Sequence, residues 1–195
     1  MLITNRHISH PPKILIDDKE VRIVKKVKYL GIYIDDKLKY NSQIEHIENK
    51  LARLCGVSFR LKSHFNLDTA KKFYFSCVYG TLGYCLSNWG GASLCSSRCD
   101  RIQRLQKRIA ENLFRKFHLN GCIFKAMKIL KFKDIYRLKV ATHMFKLEKL
   151  NCAPYLQNII NLSHPSHSHN TRSQNLLELP FPRVESIRMN FQYQF

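Results

Sequence analysis

Between residues 13 and 35, short apolar runs alternate with polar residues, a pattern typical of β-strands. Residues 13–16 and 21–24 flank the polar segment 17–20, and this arrangement predicts a β-hairpin. Residues 27–34 are rich in β-branched and aromatic side chains and predict one further strand. Because glycine weakens a strand interior, Gly31 indicates a bulge or a close approach of another part of the backbone.

Residues 41–150 repeat apolar side chains at helical spacing. The predicted starting residues are Asn41 or Ser42 (with Glu45 completing a capping box), then Asp68 or Thr69, then Ser97. The predicted apolar stripes are Ile44, Ile47, Leu51, Leu54 and Leu61; Phe73, Cys77, Val78, Leu82 and Cys85; Ile102, Leu105, Ile109, Leu113 and Phe117; and Ile123, Met127, Leu130, Ile135, Leu138, Phe145 and Leu147. Loops are predicted at residues 89–91 and 120–121 because of their glycines.

From Asn151 onward the helical spacing is lost. Prolines and a Ser/His-rich segment at residues 164–169 predict an irregular tail. The pattern therefore predicts an α+β chain that is mainly α. Residues 1–40 form a short antiparallel β element, residues 41–150 a helical bundle and residues 151–195 a C-terminal extension.

The charge narrows the choice of partners. The chain of 195 residues has 33 Lys and Arg against 14 Asp and Glu, a formal net charge of +19. Such an excess favours nucleic acid or an anionic membrane as the partner. We expect no membrane association, because the apolar helix faces are needed for the core and no apolar run is long enough to span a bilayer.

The seven cysteines are an odd number spread over a long chain, and the N-terminus lacks the pattern of a signal peptide. Both features favour an intracellular protein, nuclear or cytoplasmic.

Two successive predicted helices carry most of the concentrated positive charge. The first bears Arg101, Arg104, Lys107, Arg108, Arg115 and Lys116 against the single acid Glu111. The second region bears Lys125, Lys128, Lys131, Lys133, Arg137, Lys139, Lys146 and Lys149 against Asp134 and Glu148. One basic helix is often only a solvated surface helix, but two in succession favour contact with a phosphate backbone.

The tetrapeptide at residues 33–36, Tyr-Ile-Asp-Asp, has the form of a reverse transcriptase active site, in which paired aspartates hold metal ions. Such a site needs a third carboxylate from an earlier strand. The only earlier carboxylates are Asp17, Asp18 and Glu20, which lie together in a predicted turn. We therefore interpret Asp35 and Asp36 as an acidic turn between a strand and a helix, and we predict no catalytic residues.

Cysteines and histidines offer a second candidate metal centre, a structural zinc site. Cys95 and Cys99 are four residues apart, and His164, His167 and His169 cluster further along the chain. Together they have the composition of a Cys2His2 site. The long interval between the two groups favours coincidence, so we predict no metal ligands.

Several segments, taken in order, resemble the C-terminal part of reverse transcriptases from jockey-like non-LTR (LINE) retrotransposons. Residues 27–41 resemble the Lys-Tyr-Leu-Gly strand that closes the palm and the start of the first thumb helix. The remaining resembling segments are residues 47–61, residues 79–90 with the single Trp, residues 105–108, residues 129–136, and the His-x-Thr-Arg tail at residues 169–172. Lys107 departs from the Asn usual there, and the upstream fingers and catalytic aspartates are missing.

The resemblance implies the palm edge, thumb and C-terminal extension of an RNA-directed DNA polymerase. By that resemblance, Lys28, Tyr29 and Gly31 would support the primer side, and Arg101, Arg104, Lys107 and Arg108 would contact phosphates. The parent enzyme would use a divalent metal such as magnesium, whereas we expect no cofactor in this chain. Implied partners are an RNA–DNA hybrid or duplex and the missing fingers–palm part. The alternatives are a stand-alone basic helical nucleic-acid-binding protein and a non-functional element remnant.

Overall fold

The structure, a computed structural model, describes residues 1–3, 12–94, 97–117 and 122–150 and the two-residue strands at 161–162 and 177–178. It confirms the predicted fold class, since short antiparallel strand pairs are followed by a mainly helical region. The strands are β1 (Leu15–Ile16), β2 (Lys19–Glu20), β3 (Lys26–Tyr29), β4 (Ile32–Asp35), β5 (Asn161–Leu162) and β6 (Leu177–Glu178). The α-helices are α1 (Asn41–Leu61), α2 (Leu67–Phe73), α3 (Gly80–Gly83), α4 (Leu86–Leu94), α5 (Ser97–Phe114), α6 (Ile123–Ala126) and α7 (Phe132–Leu150). A π-helical segment (Tyr74–Tyr79) joins α2 to α3, and a 3₁₀ turn (Arg115–Phe117) ends α5.

Both N-terminal strand pairs turn through two residues with positive φ. The β1–β2 turn is made by Asp17 and Asp18, which confirms a hairpin but shortens its predicted turn. The β3–β4 turn is made by Leu30 (φ 45°) and Gly31 (φ 82°). Residues 27–34 therefore form a hairpin, and the prediction of one strand with a bulge at Gly31 was wrong. Two left-handed residues match the twist of paired strands, so the chain reverses where the sequence looks continuously β-forming.

The predicted cap of α1 was wrong, because neither Asn41 nor Ser42 occupies the N-cap position. Tyr40 holds it in a left-handed conformation (φ 53°) without a side-chain cap. Asp35 organises the preceding turn instead, its Oδ1 accepting the backbone N–H of Lys39 at 2.8 Å. For α2 the cap is Asn66, whose Oδ1 accepts the N–H of Thr69 at 2.8 Å, slightly upstream of the predicted start. Helix α5 begins at Ser97, the residue predicted to cap it, so Ser97 is its first helical residue and not its N-cap.

Residues 89–91 were predicted to form a loop but lie inside α4. Trp89 is fully buried, and Gly90 contacts the ring of Tyr136 on α7. A Cβ built on Gly90 would come within 2.4 Å of Cδ2 of that ring, closer than real atoms approach. Gly90 allows α4 to pack closely against α7. From the sequence alone, such a helix glycine cannot be distinguished from a loop glycine. Residues 120–121 lie outside the described part of the chain.

The core follows the predicted stripes in most places. Its fully buried members include Ile44, Leu51, Val78, Leu82, Ile102, Ile109, Leu113 and Ile135. On α7 the prediction was wrong for Leu138 and Phe145, which are 48% and 57% exposed. It was also wrong for Phe117 and Leu130, which are 37% and 40% exposed. Phe132, Tyr136 and Val140 take the buried positions of α7. Because α7 is apolar on more than one side, spacing did not identify the face that packs.

Gln106 is the polar centre of the core. Its Nε2 donates to Tyr74 Oη at 2.8 Å and to the carbonyl of Leu130 at 2.9 Å. Its Oε1 accepts the N–H of Phe132 at 2.8 Å. One fully buried amide on α5 thus joins the π-helical segment and the first residues of α7.

The part of the chain that the structure describes has no helix both long and apolar enough to cross a membrane.

Replacing Gln106 with Leu, which has similar volume, is expected to lower the free energy of unfolding by about 2–4 kcal/mol, because buried backbone groups lose their partner. Denaturant unfolding measures the loss. Gln103→Leu is the comparison variant, with a smaller loss of about 1–2 kcal/mol, because the half-buried Gln103 supplies only a second acceptor to Phe132 and one donor to Gln106 Oε1 at 3.2 Å. Equal losses in the two variants would contradict the central role of Gln106.

Tyr74 provides a pH-dependent measure of the same centre. Burial raises the pKa of Tyr74 to about 12, and the amide of Gln106, which donates to the hydroxyl oxygen, opposes the rise. An unfolded tyrosine releases its proton near pH 10. The contribution of Tyr74 is therefore complete below about pH 10 and is lost as the pH rises toward 12, by at most about 1.4 kcal/mol per pH unit. The difference in unfolding free energy between the native protein and Tyr74→Phe should shrink over this range. Parallel curves would contradict the assignment.

Candidate nucleic-acid interface

Arg101, Arg104, Lys107 and Arg108 form one exposed row along α5, which we call the basic stripe. Their spacing places them on one side of the helix, and Ile102, Gln106, Ile109 and Leu113 form the buried side. The prediction that these bases project away from the core is confirmed. From Arg101 to Arg108 the stripe extends about 10 Å along the helix axis, the length of about three base-pair steps.

Two members of the basic stripe have acidic partners within the protein. Arg101 Nη1 lies 3.7 Å from Glu48 Oε2 on α1, and Lys107 Nζ lies 3.7 Å from Glu111 Oε1 on α5. For Arg104 and Arg108, the described residues supply no ion-pair partner. Both observed pairs are longer than a charge-assisted hydrogen bond, so these side chains keep donors for an external anion.

The N-terminal half of the basic stripe opens into a cleft between α1 and α5, with a volume of about 460 Å³. This α1–α5 cleft is lined by Glu45, Glu48, Asn49, Arg98, Arg101 and Arg104. Arg98, which sequence analysis did not include, donates from Nη1 to the carbonyl of Asn41 at 3.0 Å. Arg98 could have been identified from its position three residues before Arg101 on the same helix. Glu48 was also missed, although a glutamate four residues after Ile44 lies on the buried stripe of α1.

The β3–β4 hairpin is attached to α1 by specific contacts. Tyr33 donates its backbone N–H to Gln43 Oε1 at 3.0 Å, and its ring lies 5.3 Å from that of His46. Lys28 is paired across the strands with Tyr33 and places its ammonium 5.5 Å from the centre of that ring. Tyr29, at the end of β3, is 62% exposed. Lys28 and Tyr29 are thus accessible on a hairpin of defined orientation.

A second cleft, of about 430 Å³, lies between this hairpin, α1 and the π-helical segment. Its lining includes Gly31, His46, Lys50, Cys77 and Tyr84. The Tyr84 hydroxyl donates to the carbonyl of Leu30 at 2.6 Å and so holds the left-handed turn.

The electrostatics of this hairpin cleft are positive. Burial lowers the pKa of His46, and the positive charges of Lys28, Lys50 and Arg53 lower it further. Lys28 therefore shares its electrostatic surroundings with bases of α1 that sequence analysis did not select. Their spacing of three on the exposed side of α1 would have identified Lys50 and Arg53.

The predicted site residues thus form two groups on different sides of α1. Lys28 and Gly31 lie near the hairpin cleft, whereas Arg101 and Arg104 line the α1–α5 cleft. Lys107 and Arg108 continue along α5. In the described ranges no hydrogen bond or ion pair connects the hairpin residues with the basic stripe; Gln43 and Glu48 of α1 contact one group each.

The Tyr-Ile-Asp-Asp segment forms the end of β4 and a turn, as interpreted from the sequence. Asp35 Oδ1 accepts the backbone N–H groups of Lys37 at 3.2 Å and Lys39 at 2.8 Å. This carboxylate oxygen serves the turn that leads into α1. No group of three metal-ligating side chains occurs within the described ranges.

Most of the candidate zinc ligands lie outside the residues that the structure describes: Cys95, His164, His167 and His169. Cys99 is described and is buried.

Comparison with known proteins gives no match: no family model, no curated protein and no solved structure is significantly similar to the chain.

Proposed function

We propose that this chain is the palm-edge, thumb and C-terminal part of a reverse transcriptase of the jockey-like non-LTR type, and that it binds the backbone of a template–primer duplex. The observation that carries this proposal is the basic stripe on α5. The stripe lies opposite the buried face of the same helix and has two bases without ion-pair partners among the described residues. Such an arrangement contacts successive phosphates without reading bases.

The hairpin supports the same proposal. Gly31 and Lys50 line the hairpin cleft, the charge of Lys28 acts on His46 in the same lining, and Tyr29 is exposed beside the turn. A rigid hairpin of this kind is suited to hold the end of a nucleic acid strand. Gln43, Tyr33 and Tyr84 fix its position relative to α1 and α3.

In this proposal, catalysis belongs to the fingers–palm part of the polymerase. The parent polymerase would use a divalent ion such as magnesium, held by aspartates of an upstream palm. The role of this chain is to position the duplex for that palm, so its partners are an RNA–DNA hybrid or duplex and the fingers–palm part.

Neutralising the basic stripe tests this role. In the variant Arg101→Gln, Arg104→Gln, Lys107→Gln and Arg108→Gln, affinity for an RNA–DNA hybrid should fall. The slope of log affinity against log salt should decrease by about 2 to 4, because fewer counterions are released. Fluorescence anisotropy over a series of NaCl concentrations measures both quantities, and circular dichroism checks that the variant folds.

The matched control removes the same charge elsewhere: Lys125→Gln, Lys133→Gln, Arg137→Gln and Lys146→Gln. These side chains are exposed on α6 and α7. The first residues of α7 contact α5 through Gln106, on the side away from the stripe. The control should therefore lose much less affinity and slope. Equal effects of the two variants would show that total charge, and not the basic stripe, governs binding.

A complementation assay tests the fragment assignment. The chain alone is expected to add no nucleotides to a primer. Primer extension is expected when a fingers–palm fragment carrying the catalytic aspartates is added, since the chain then holds the duplex. Extension by the chain alone would contradict the prediction that the chain has no catalytic residues. An inactive mixture would contradict the fragment assignment. The basic-stripe variant should extend less in the mixture.

A further inference from the structure

The α1–α5 cleft contains a buried carboxylate oxygen that a simple phosphate site does not explain. The side chain of Glu48 is only 7% exposed, and its Oε2 faces Arg101 at 3.7 Å. In the part of the chain that the structure describes, its Oε1 is buried without a hydrogen-bond partner. Leaving a buried acceptor unsatisfied is costly, and a ligand that brings a donor into this cleft would remove that cost.

The same cleft is rich in guanidinium groups. Arg98, Arg101 and Arg104 line it beside Glu45 and Glu48. Guanidinium groups suit a phosphate, and three of them oppose binding of a free cation at the carboxylates. A phosphodiester, however, has only acceptor oxygens and would be repelled by Glu48. The ligand that satisfies both sets of groups carries a phosphate and, next to it, a neutral hydroxyl donor.

A ribonucleotide has this combination. We propose that the α1–α5 cleft holds one unit of an RNA strand, with its phosphate at Arg101 and Arg104 and its 2′-hydroxyl donating to Glu48 Oε1, which a rotation of the carboxylate brings to the cleft surface. A DNA strand lacks that hydroxyl and leaves the carboxylate oxygen unsatisfied. The cleft volume of about 460 Å³ lies within the range of ligand pockets. The inference rests on the proposed function and deepens it, since it assigns the RNA strand of the duplex to α5.

The test compares strands that differ only at the 2′ position. Short RNA–DNA hybrids are prepared with a normal RNA strand or with a 2′-fluoro strand, which keeps the A-form geometry but cannot donate. Fluorescence anisotropy of the full chain should show about tenfold tighter binding of the normal hybrid, the effect of a hydrogen bond to a charged acceptor. In Glu48→Met the ratio should fall to about twofold or less.

The matched control is Glu111→Met, which also removes one acid beside a base of the stripe. Both hybrids should then bind more tightly, with the ratio unchanged. Equal affinity of the native chain for the two hybrids overturns the inference, and this measurement needs no variant to fold. A tenfold ratio retained in folded Glu48→Met overturns it as well. Both results leave backbone binding intact, whereas failure to bind any duplex overturns the proposed function itself.

Discussion

The buried amide of Gln106 determines how the helices of this protein meet. It is the point where α5, the π-helical segment and the start of α7 share one set of hydrogen bonds. An amide has a limited number of donors and acceptors with fixed directions, so these elements have one relative arrangement that satisfies all of them. Apolar contacts from Ile102, Ile109 and Leu113 then fill the space around that arrangement.

This constraint also orients the basic stripe. Because Gln106 faces inward, the positions on the opposite side of α5 face solvent, and these are the ones that carry Arg101, Arg104 and Arg108. The same helix thus provides core contacts on one side and exposed basic side chains on the other. A change of helix rotation would expose Gln106 and bury the arginines, and both would be unfavourable.

Helix α1 contacts both parts of the proposed interface. Gln43 fixes the β3–β4 hairpin on one side, and Glu48 approaches Arg101 on another. The two clefts therefore keep a constant relation to each other through a single helix. A duplex that contacts both clefts would be held at two separate places.

The chain's local patterns were sufficient for the class of fold and for the face of α5 that is basic. Helical spacing and charge are properties of neighbouring residues, and they identified the apolar stripes of α1 and α5 and the direction of Arg101, Arg104, Lys107 and Arg108. Local signals failed at two glycines, because a glycine can serve either a turn or a close contact between helices. Gly31 makes a turn and Gly90 makes a helix contact, and both were misassigned because only the neighbouring Tyr84 and Tyr136 distinguish these roles.

The sequence by itself therefore determined the mainly helical architecture, the β element before it and the amphipathic basic helix, since each depends on periodicity and composition. The tertiary structure alone decided that Glu48 is buried beside Arg101, that Lys28, Lys50 and Arg53 surround His46, and that Leu138 and Phe145 are exposed. These features depend on contacts between residues far apart along the chain. Such contacts follow from how the whole core packs, and no local pattern contains them.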